Sequence, residues 1–234
     1  GPAGLSCAYY LADKGYDPVV FEKNPLPGGM MTYGIPSYKL SKQVVAAEID
    51  VLREMGVEIR CGVEVGKDVT LDELRKQGFC AFYLAIGAQG GRCAGVDGED
   101  AEGVSTAVDF LRCALDDPSH EVKGATVVIG GGNVAMDVAR SSVRLGWGPA
   151  SIQVDESGHV SGVTFKRCTS VFDYDHRFAP TYDESDTVFV PCTNVVLSIG
   201  QSIEWGDLLA GSAVELGRGN AAVADAKTYQ TAQP

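Results

Sequence analysis

The stretch Thr126-Val127-Val128-Ile129-Gly130-Gly131-Gly132-Asn133-Val134-Ala135 decides the fold. A β-branched run of the kind that forms a buried strand meets a glycine turn, and residues 134–145 read as the helix that follows. Gly130, Gly132 and Ala135 have the spacing G-x-G-x-x-A. Glycine at such a turn lets the backbone approach a pyrophosphate closely, and the helix start offers free N–H groups with a partial positive charge. Taken alone, the spacing would equally describe an ordinary tight turn; set between this strand and this helix, it predicts a dinucleotide cradle. Ala135 at the third position points toward the phosphorylated nicotinamide nucleotide.

A second, clipped turn opens the chain at Gly1-Pro2-Ala3-Gly4, where Gly1 and Gly4 fit the second and third glycines of the fingerprint. Pro2 suits a first helical turn, Leu5, Ala8, Tyr9 and Leu11 or Ala12 form an apolar stripe, and Gly15 ends it. Residues 18–22 then read as a buried strand. Glu22 at its end stands roughly 20 residues beyond the glycines, where the fingerprint places its acidic residue. There it either accepts hydrogen bonds from both ribose hydroxyls, which excludes a 2′-phosphate, or is a solvated strand-end carboxylate. The neighbouring glycine turn favours the first. Two such turns predict two bound dinucleotides, and a protein holding two redox dinucleotides usually passes electrons between them.

Between the turns, strands and helices alternate. Ser41 is placed to cap a helix to about Met55, with Val44, Val45, Glu48, Ile49 and Leu52 at helical spacing. Residues 57–61 read as a strand, Thr70-Leu71-Asp72-Glu73 as a capping box, and residues 81–86 as an apolar strand stopped by Gly87. Ser105 or Thr106 opens a further helix carrying Val108, Phe110, Leu111 and Leu115. This alternation predicts an α/β fold with a parallel, doubly wound sheet. Residues 25–36 read as a loop, residues 152–166 as a hairpin and residues 195–199 as another buried strand.

Composition narrows the function classes. A net charge of −12 with no cluster of Lys and Arg argues against a nucleic-acid surface. No apolar run approaches the roughly 18 residues of a membrane span, so no membrane partner is expected. The 7 cysteines are odd in number and scattered, the pattern of a reduced, cytoplasmic protein whose cysteines are small core residues. No two have metal-ligand or C-x-x-C spacing, so neither a metal, an iron–sulfur cluster nor a dithiol centre is expected within the chain. His120, His159 and His176 lie in polar stretches and read as solvated. Asp173, Asp175, Asp183, Glu184 and Asp186 read as a solvated acidic loop region, and Asp137 with Arg140 as either a ligand contact or a helix-surface pair. No catalytic acid or base is singled out.

The ordered series Gly1-Pro2-Ala3-Gly4, Phe21-Glu22-Lys23, Pro27-Gly28-Gly29-Met30-Met31, Tyr33-Gly34-Ile35-Pro36 and Gly130-Gly131-Gly132-Asn133-Val134-Ala135-Met136-Asp137, with Ala139-Arg140 and Arg144-Leu145-Gly146, resembles the glutamate synthase small-subunit family. Relatives of that family include the flavin module of dihydropyrimidine dehydrogenase and the large subunit of the electron-bifurcating ferredoxin–NADP transhydrogenase. The resemblance implies two Rossmann-like domains of disulfide-reductase type. An FAD domain would comprise residues 1–104 and 204–234, with an NAD(P) domain, residues 105–203, inserted in it. It implies that Gly1 and Ala3 face the FAD pyrophosphate, Glu22 and Lys23 the ribose, and Gly29 and Met30 the flavin side, with Val65 meeting the adenine through its backbone. Gly87 and Gly200 would close strand ends near the cofactors, and residues 131–134 would hold the NADP or NAD pyrophosphate. It also implies an iron–sulfur domain or subunit as electron partner, such as a glutamate synthase large-subunit-like protein.

Several departures limit the resemblance. The opening strand, the cysteine-rich segment before the flavin domain and the Gly-Asp segment after it are missing, and Trp147-Gly148-Pro149 follows where the family continues with a strand and an arginine pair. The chain therefore reads as part of a longer protein, and NAD versus NADP stays open. Two other readings stand beside the flavin oxidoreductase. A thioredoxin-reductase-like enzyme shares the plan but needs the absent C-x-x-C, and a nucleotide-binding or interaction fragment would have no activity of its own.

Overall fold

The computed structural model describes residues 1–116, 122–138 and 147–232. The chain folds as two compact units, Gly1–Gly90 with Ser202–Pro234 and, inserted between these segments, Gly91–Gln201.

In the first unit, helix α1 (Pro2–Asp13) leads to strand β1 (Val19–Glu22), short helix α2 (Met30–Tyr33), helix α3 (Lys42–Glu54), strand β2 (Glu58–Cys61) and helix α4 (Leu71–Lys76). β1 and β2 run parallel, with Val20 opposite Ile59 and Glu22 opposite Cys61. Leu5 and Ala8 from α1 bury against Val45, Ile49 and Leu52 from α3 and against Val57, and this apolar stripe is what the spacing anticipated. Each fully buried aliphatic side chain of this kind stabilises by about 1.5–3 kcal/mol. The Thr70 box forms as expected, since Glu73 N–H donates to Thr70 Oγ1 and Thr70 N–H donates to Glu73 Oε2. Ser41 precedes α3 without a side-chain cap bond.

Residues 81–86 are not a strand. A strand exists only when it is paired, and among the described residues nothing forms a ladder with this segment: β1 and β2 pair with each other alone. Conversely, the loop expected over residues 25–36 contains α2.

Gly90–Gly91 (β3) and Gln201–Ser202 (β10) lie where the chain passes from one unit to the other. The second unit continues with β4 (Val104–Thr106), α5 (Ala107–Asp116), β5 (Thr126–Ile129), α6 (Asn133–Val138), β6 (Trp147–Val154), β7 (Val160–Phe172), β8 (Phe178–Pro191) and β9 (Asn194–Leu197). β4, β9 and β5 make a parallel sheet in that order, with Val127 and Val104 both opposite Val195. β6, β7 and β8 make a separate antiparallel sheet. Ile129, Val195 and Leu197 from the first sheet share one core with Ile152, Val160 and Val163 from the second. Residues 91–103, assigned from sequence to the first domain, belong to this unit because Ala94, Val96 and Ala101 pack on that same core.

Two further expectations are corrected here. The hairpin continues to Phe172 and gains a third strand, so Asp183, Glu184 and Asp186 sit within β8 instead of a loop. Their polarity is accommodated by a break in register: Lys166 faces Thr187 while Arg167 faces Asp183, which leaves the intervening residues bulged outward. Of the cysteines, Cys192 alone is buried; Cys80, Cys93 and Cys113, at turns and helix surfaces, are exposed. His159 is half-buried, 3.1 Å from the Thr193 carbonyl. The end of the helix expected over 134–145, the motif residues Ala139, Arg140, Arg144, Leu145 and Gly146, and His120 lie outside the described residues.

Candidate dinucleotide sites

In the first unit, Gly1 is the N-cap of α1 and its carbonyl accepts from Leu5 N–H at 3.1 Å. Ala3 is exposed in the first turn, and Gly4 lies against Ala85, the contact a Cβ there would make at 3.4 Å. Gly29 caps α2 in the left-handed region at φ 57°, and a Cβ on it would stand 2.8 Å from Gly1 Cα. Only glycine permits both that φ and that approach. Two turns far apart in sequence thus touch backbone to backbone.

Glu22 meets them from β1. The carboxylate is buried, with Oε1 accepting from Asn24 N–H at 3.0 Å and from Asn24 Nδ2 at 2.7 Å, while Oε2 lies 3.8 Å from the Gly1 nitrogen. A carboxylate oxygen has two acceptor positions, so Oε1 is filled and Oε2 keeps the capacity to receive a ligand hydroxyl beside the turn. The sequence singled out Glu22 but missed Asn24; an Asn two residues after a strand-end acid, able to donate twice to it, was the available signal. Burial, and after it the Glu22 carboxylate, push the neighbouring Cys61 thiol up, so it stays protonated.

Lys23 beside Glu22 is exposed, and Met30 begins α2. Val65 is half-buried in a turn closed by Gly66 N–H donating to the Val69 carbonyl. Gly87 is exposed, with open space where its Cβ would be. Gly1, Gly29 and Glu22 are therefore drawn together, whereas no such contact joins Val65 or Gly87 to them.

In the second unit, Gly130 ends β5 with φ 145°, its missing Cβ replaced by the Ser198 carbonyl at the end of β9. Ser198 N–H in turn donates to the Ile129 carbonyl at 2.7 Å. Gly131 and Gly132 face open space, and Asn133 and Val134 start α6, whose first bond runs from Met136 N–H to the Gly132 carbonyl. Gly132, Asn133, Val134 and Gly200 line one depression of about 180 Å³, together with Ala107 and Val108 of α5, Ser198 and Gln201. Among the described residues no charged side chain lines it, and the donors they offer an anion are backbone N–H groups and amide or hydroxyl groups. A larger hollow, about 340 Å³, lies among the C-terminal turns and includes Glu215 and Asp225 but none of the expected site residues. Among the described residues, no group of three or more His, Cys, Asp or Glu converges as a metal site would require.

The family model for pyridine nucleotide-disulphide oxidoreductases matches residues 1–175, three quarters of the chain. The chain belongs to the pyridine nucleotide-disulphide oxidoreductase family. Within it, the glutamate synthase [NADPH] small chain of Escherichia coli (strain K12) is 32% identical over 289 aligned positions, covering 100% of this chain and 60% of the relative. That alignment is longer than the 234 residues present here, so the relative carries residues this chain lacks within the matched span. The NADP(+)-dependent formate dehydrogenase subunit beta of Moorella thermoacetica is 45% identical over 149 residues, 62% of this chain and 21% of the relative. The chain thus spans less than two thirds of either relative. Among solved structures, Mycobacterium tuberculosis FprA in complex with NADPH superposes with a TM-score of 0.74 at 17% identity, covering 92% of this chain and 70% of that one. The glutamate synthase small-subunit resemblance and the two-domain, dinucleotide-binding α/β fold are borne out. No helix among the described residues is long and apolar enough to cross a membrane.

Proposed function

We propose that this chain is the dinucleotide-binding core of an NADPH-dependent flavin oxidoreductase, with FAD held by the first unit and the nicotinamide nucleotide by the second. The observation that carries the reading is the convergence of Gly1, Gly29 and Glu22. It combines a glycine turn at a helix start, where backbone N–H groups can meet a pyrophosphate, with a buried carboxylate oxygen that can accept a ribose hydroxyl, and the same oxygen would repel a 2′-phosphate. This suits FAD and disfavours NADP in the first unit. The second unit supplies a glycine turn and, among the described residues, no acidic side chain lines the depression, which is compatible with a phosphorylated nucleotide. NADP(H) over NAD(H) is further supported by the nucleotide in the relatives' names and by Ala135.

When bound, a reduced nicotinamide supplies a hydride and the flavin accepts it, so the protein's work is binding, distance and exclusion of water. In this reading, Gly1, Ala3 and Gly4 and residues 130–134 present backbone N–H groups to the two pyrophosphates, Glu22 orients the adenosine ribose, and Gly29 keeps side-chain atoms away from the flavin turn. Lys23, Met30, Val65, Gly87 and Gly200 complete the two sites as flanking backbone. The electrons leave to an iron–sulfur domain or partner subunit of glutamate synthase large-subunit type, and the enzyme works in the cytoplasm.

The test is anaerobic addition of NADPH to the purified full-length protein. Bound yellow flavin that bleaches on addition, and a Glu22→Ala variant that loses flavin while still folding, are the expected results. A folded protein that carries no flavin and takes none up would favour a nucleotide-binding or interaction module instead.

A further inference from the structure

Helix α2 is one turn long, so its last carbonyls have no following turn to donate to them. Lys42, the first residue of α3, occupies that place: its Nζ donates to the Met31 carbonyl at 2.7 Å and also to the Ile35 carbonyl. A cation at a helix C-terminus offsets the partial negative charge there. Other bonds close the segment upon itself, with Thr32 Oγ1 donating to the Pro27 carbonyl at 2.7 Å and Leu26 N–H donating to Tyr33 Oη at 2.8 Å. Those bonds shape the turn but do not anchor it. Lys42 ties it to α3, whose Val45, Ile49 and Leu52 are in the core of the unit, and Met31 packs against the same core. Lysine normally leads its charge out to solvent; here the side chain is half-buried, and burial pushes its pKa below the ordinary lysine value. The desolvation is compensated by the two carbonyls.

We propose that Lys42 is a positioning residue: by anchoring residues 30–36 to α3 it holds Gly29 against Gly1, and so sets the shape of the first cradle. Its consequence for cofactor affinity rests on the flavin reading above; its anchoring role does not. No motif pointed to Lys42, because its contacts with the Met31 and Ile35 carbonyls form only when α3 packs beside α2.

The experiment compares wild type, Lys42→Met and Lys42→Arg in the full-length protein. Amide hydrogen exchange is followed without added flavin, and FAD affinity is then measured by titration. In Lys42→Met, residues 30–36 are expected to lose protection by about tenfold or more, the effect of losing charge-assisted bonds. The buried stretch 45–52 should change by less than about twofold, and Lys42→Arg should recover part of the protection. FAD binding to Lys42→Met should weaken by about tenfold, with partial recovery in Lys42→Arg. Unchanged exchange over 30–36 overturns the anchor, and so does an equal loss over 45–52, which would make Lys42 a general folding residue. A wild type that takes up no FAD while Lys42→Met still loosens 30–36 sinks the flavin reading and supports the anchor.

Discussion

The two glycine turns look alike in sequence and are built differently. The first is closed in by its surroundings: Gly29 packs on Gly1, Glu22 is buried and held by Asn24, and the α2 segment, closed on itself by Thr32 and Tyr33, is tied to α3 by Lys42. Among the described residues, the second is supported where Gly130 abuts Ser198, while Gly131 and Gly132 face open space and Gly132 lines a depression. A site whose parts are locked before the ligand arrives pays less ordering entropy on binding and releases its ligand slowly. A site open to solvent suits a ligand that must exchange at every turnover. The contrast matches a resident flavin in the first unit and a nicotinamide nucleotide, which enters and leaves, in the second.

Alanine at one glycine of each cradle should break the two in opposite ways. Gly29→Ala places a Cβ 2.8 Å from Gly1 Cα at a positive φ, so the fold itself should suffer, by about 3 kcal/mol from backbone strain and overpacking together. Denaturant titration would show this, and the purified variant should lack flavin. Gly131→Ala meets nothing within 4 Å and does not have a positive φ. Its stability should stay within about 0.5 kcal/mol of wild type. NADPH affinity should fall at least about tenfold, or about 1.4 kcal/mol, because the methyl enters the space a pyrophosphate would use. If Gly131→Ala destabilised the protein as much as Gly29→Ala, the difference between a closed and an open cradle would be lost.

Much of this architecture was legible because it is local. The α1 and α3 helices, the Thr70 box and the β5–turn–α6 series are patterns within a few residues and appear where spacing placed them, although Tyr9 and Val44 of the two expected stripes are exposed. What was not legible depends on partners distant in the chain. Residues 81–86 have a strand's composition but no ladder, and β8 hid behind Asp183, Glu184 and Asp186 because pairing with β7 across a break in register overrode its polarity. At the site, motifs identified Gly1, Gly29 and Glu22 individually. That the first two touch and that Lys42 holds the adjoining turn are facts of packing, whereas the Asn24 bonds to one oxygen of the third are local and were signalled by spacing.

The smallest expected effect separates support of the first cradle from general stability of its unit. Glu73 in the α4 capping box has its carboxyl held below the ordinary value of 4.5, first by the Thr70 N–H and then by the Thr70 hydroxyl. Because the folded value is depressed, this interaction stabilises fully above the unfolded glutamate pKa and is lost as pH falls through the folded one. Thr70→Ala removes the hydroxyl arm and the cap, and should cost about 1 kcal/mol near neutral pH. The loss should shrink in acid, as protonated Glu73 ceases to bond in wild type as well. The protein's two tryptophans provide the readout: Trp205 lies in the first unit, where its Nε1 donates to the Asn220 carbonyl, and Trp147 lies in the second. In single-tryptophan variants, the Trp205 transition should move with Thr70→Ala, and flavin affinity, measured under native conditions, should not. Gly29→Ala moves both, so a flavin affinity that fell with Thr70→Ala would mean that the first cradle merely tracks the stability of its unit and is not separately braced.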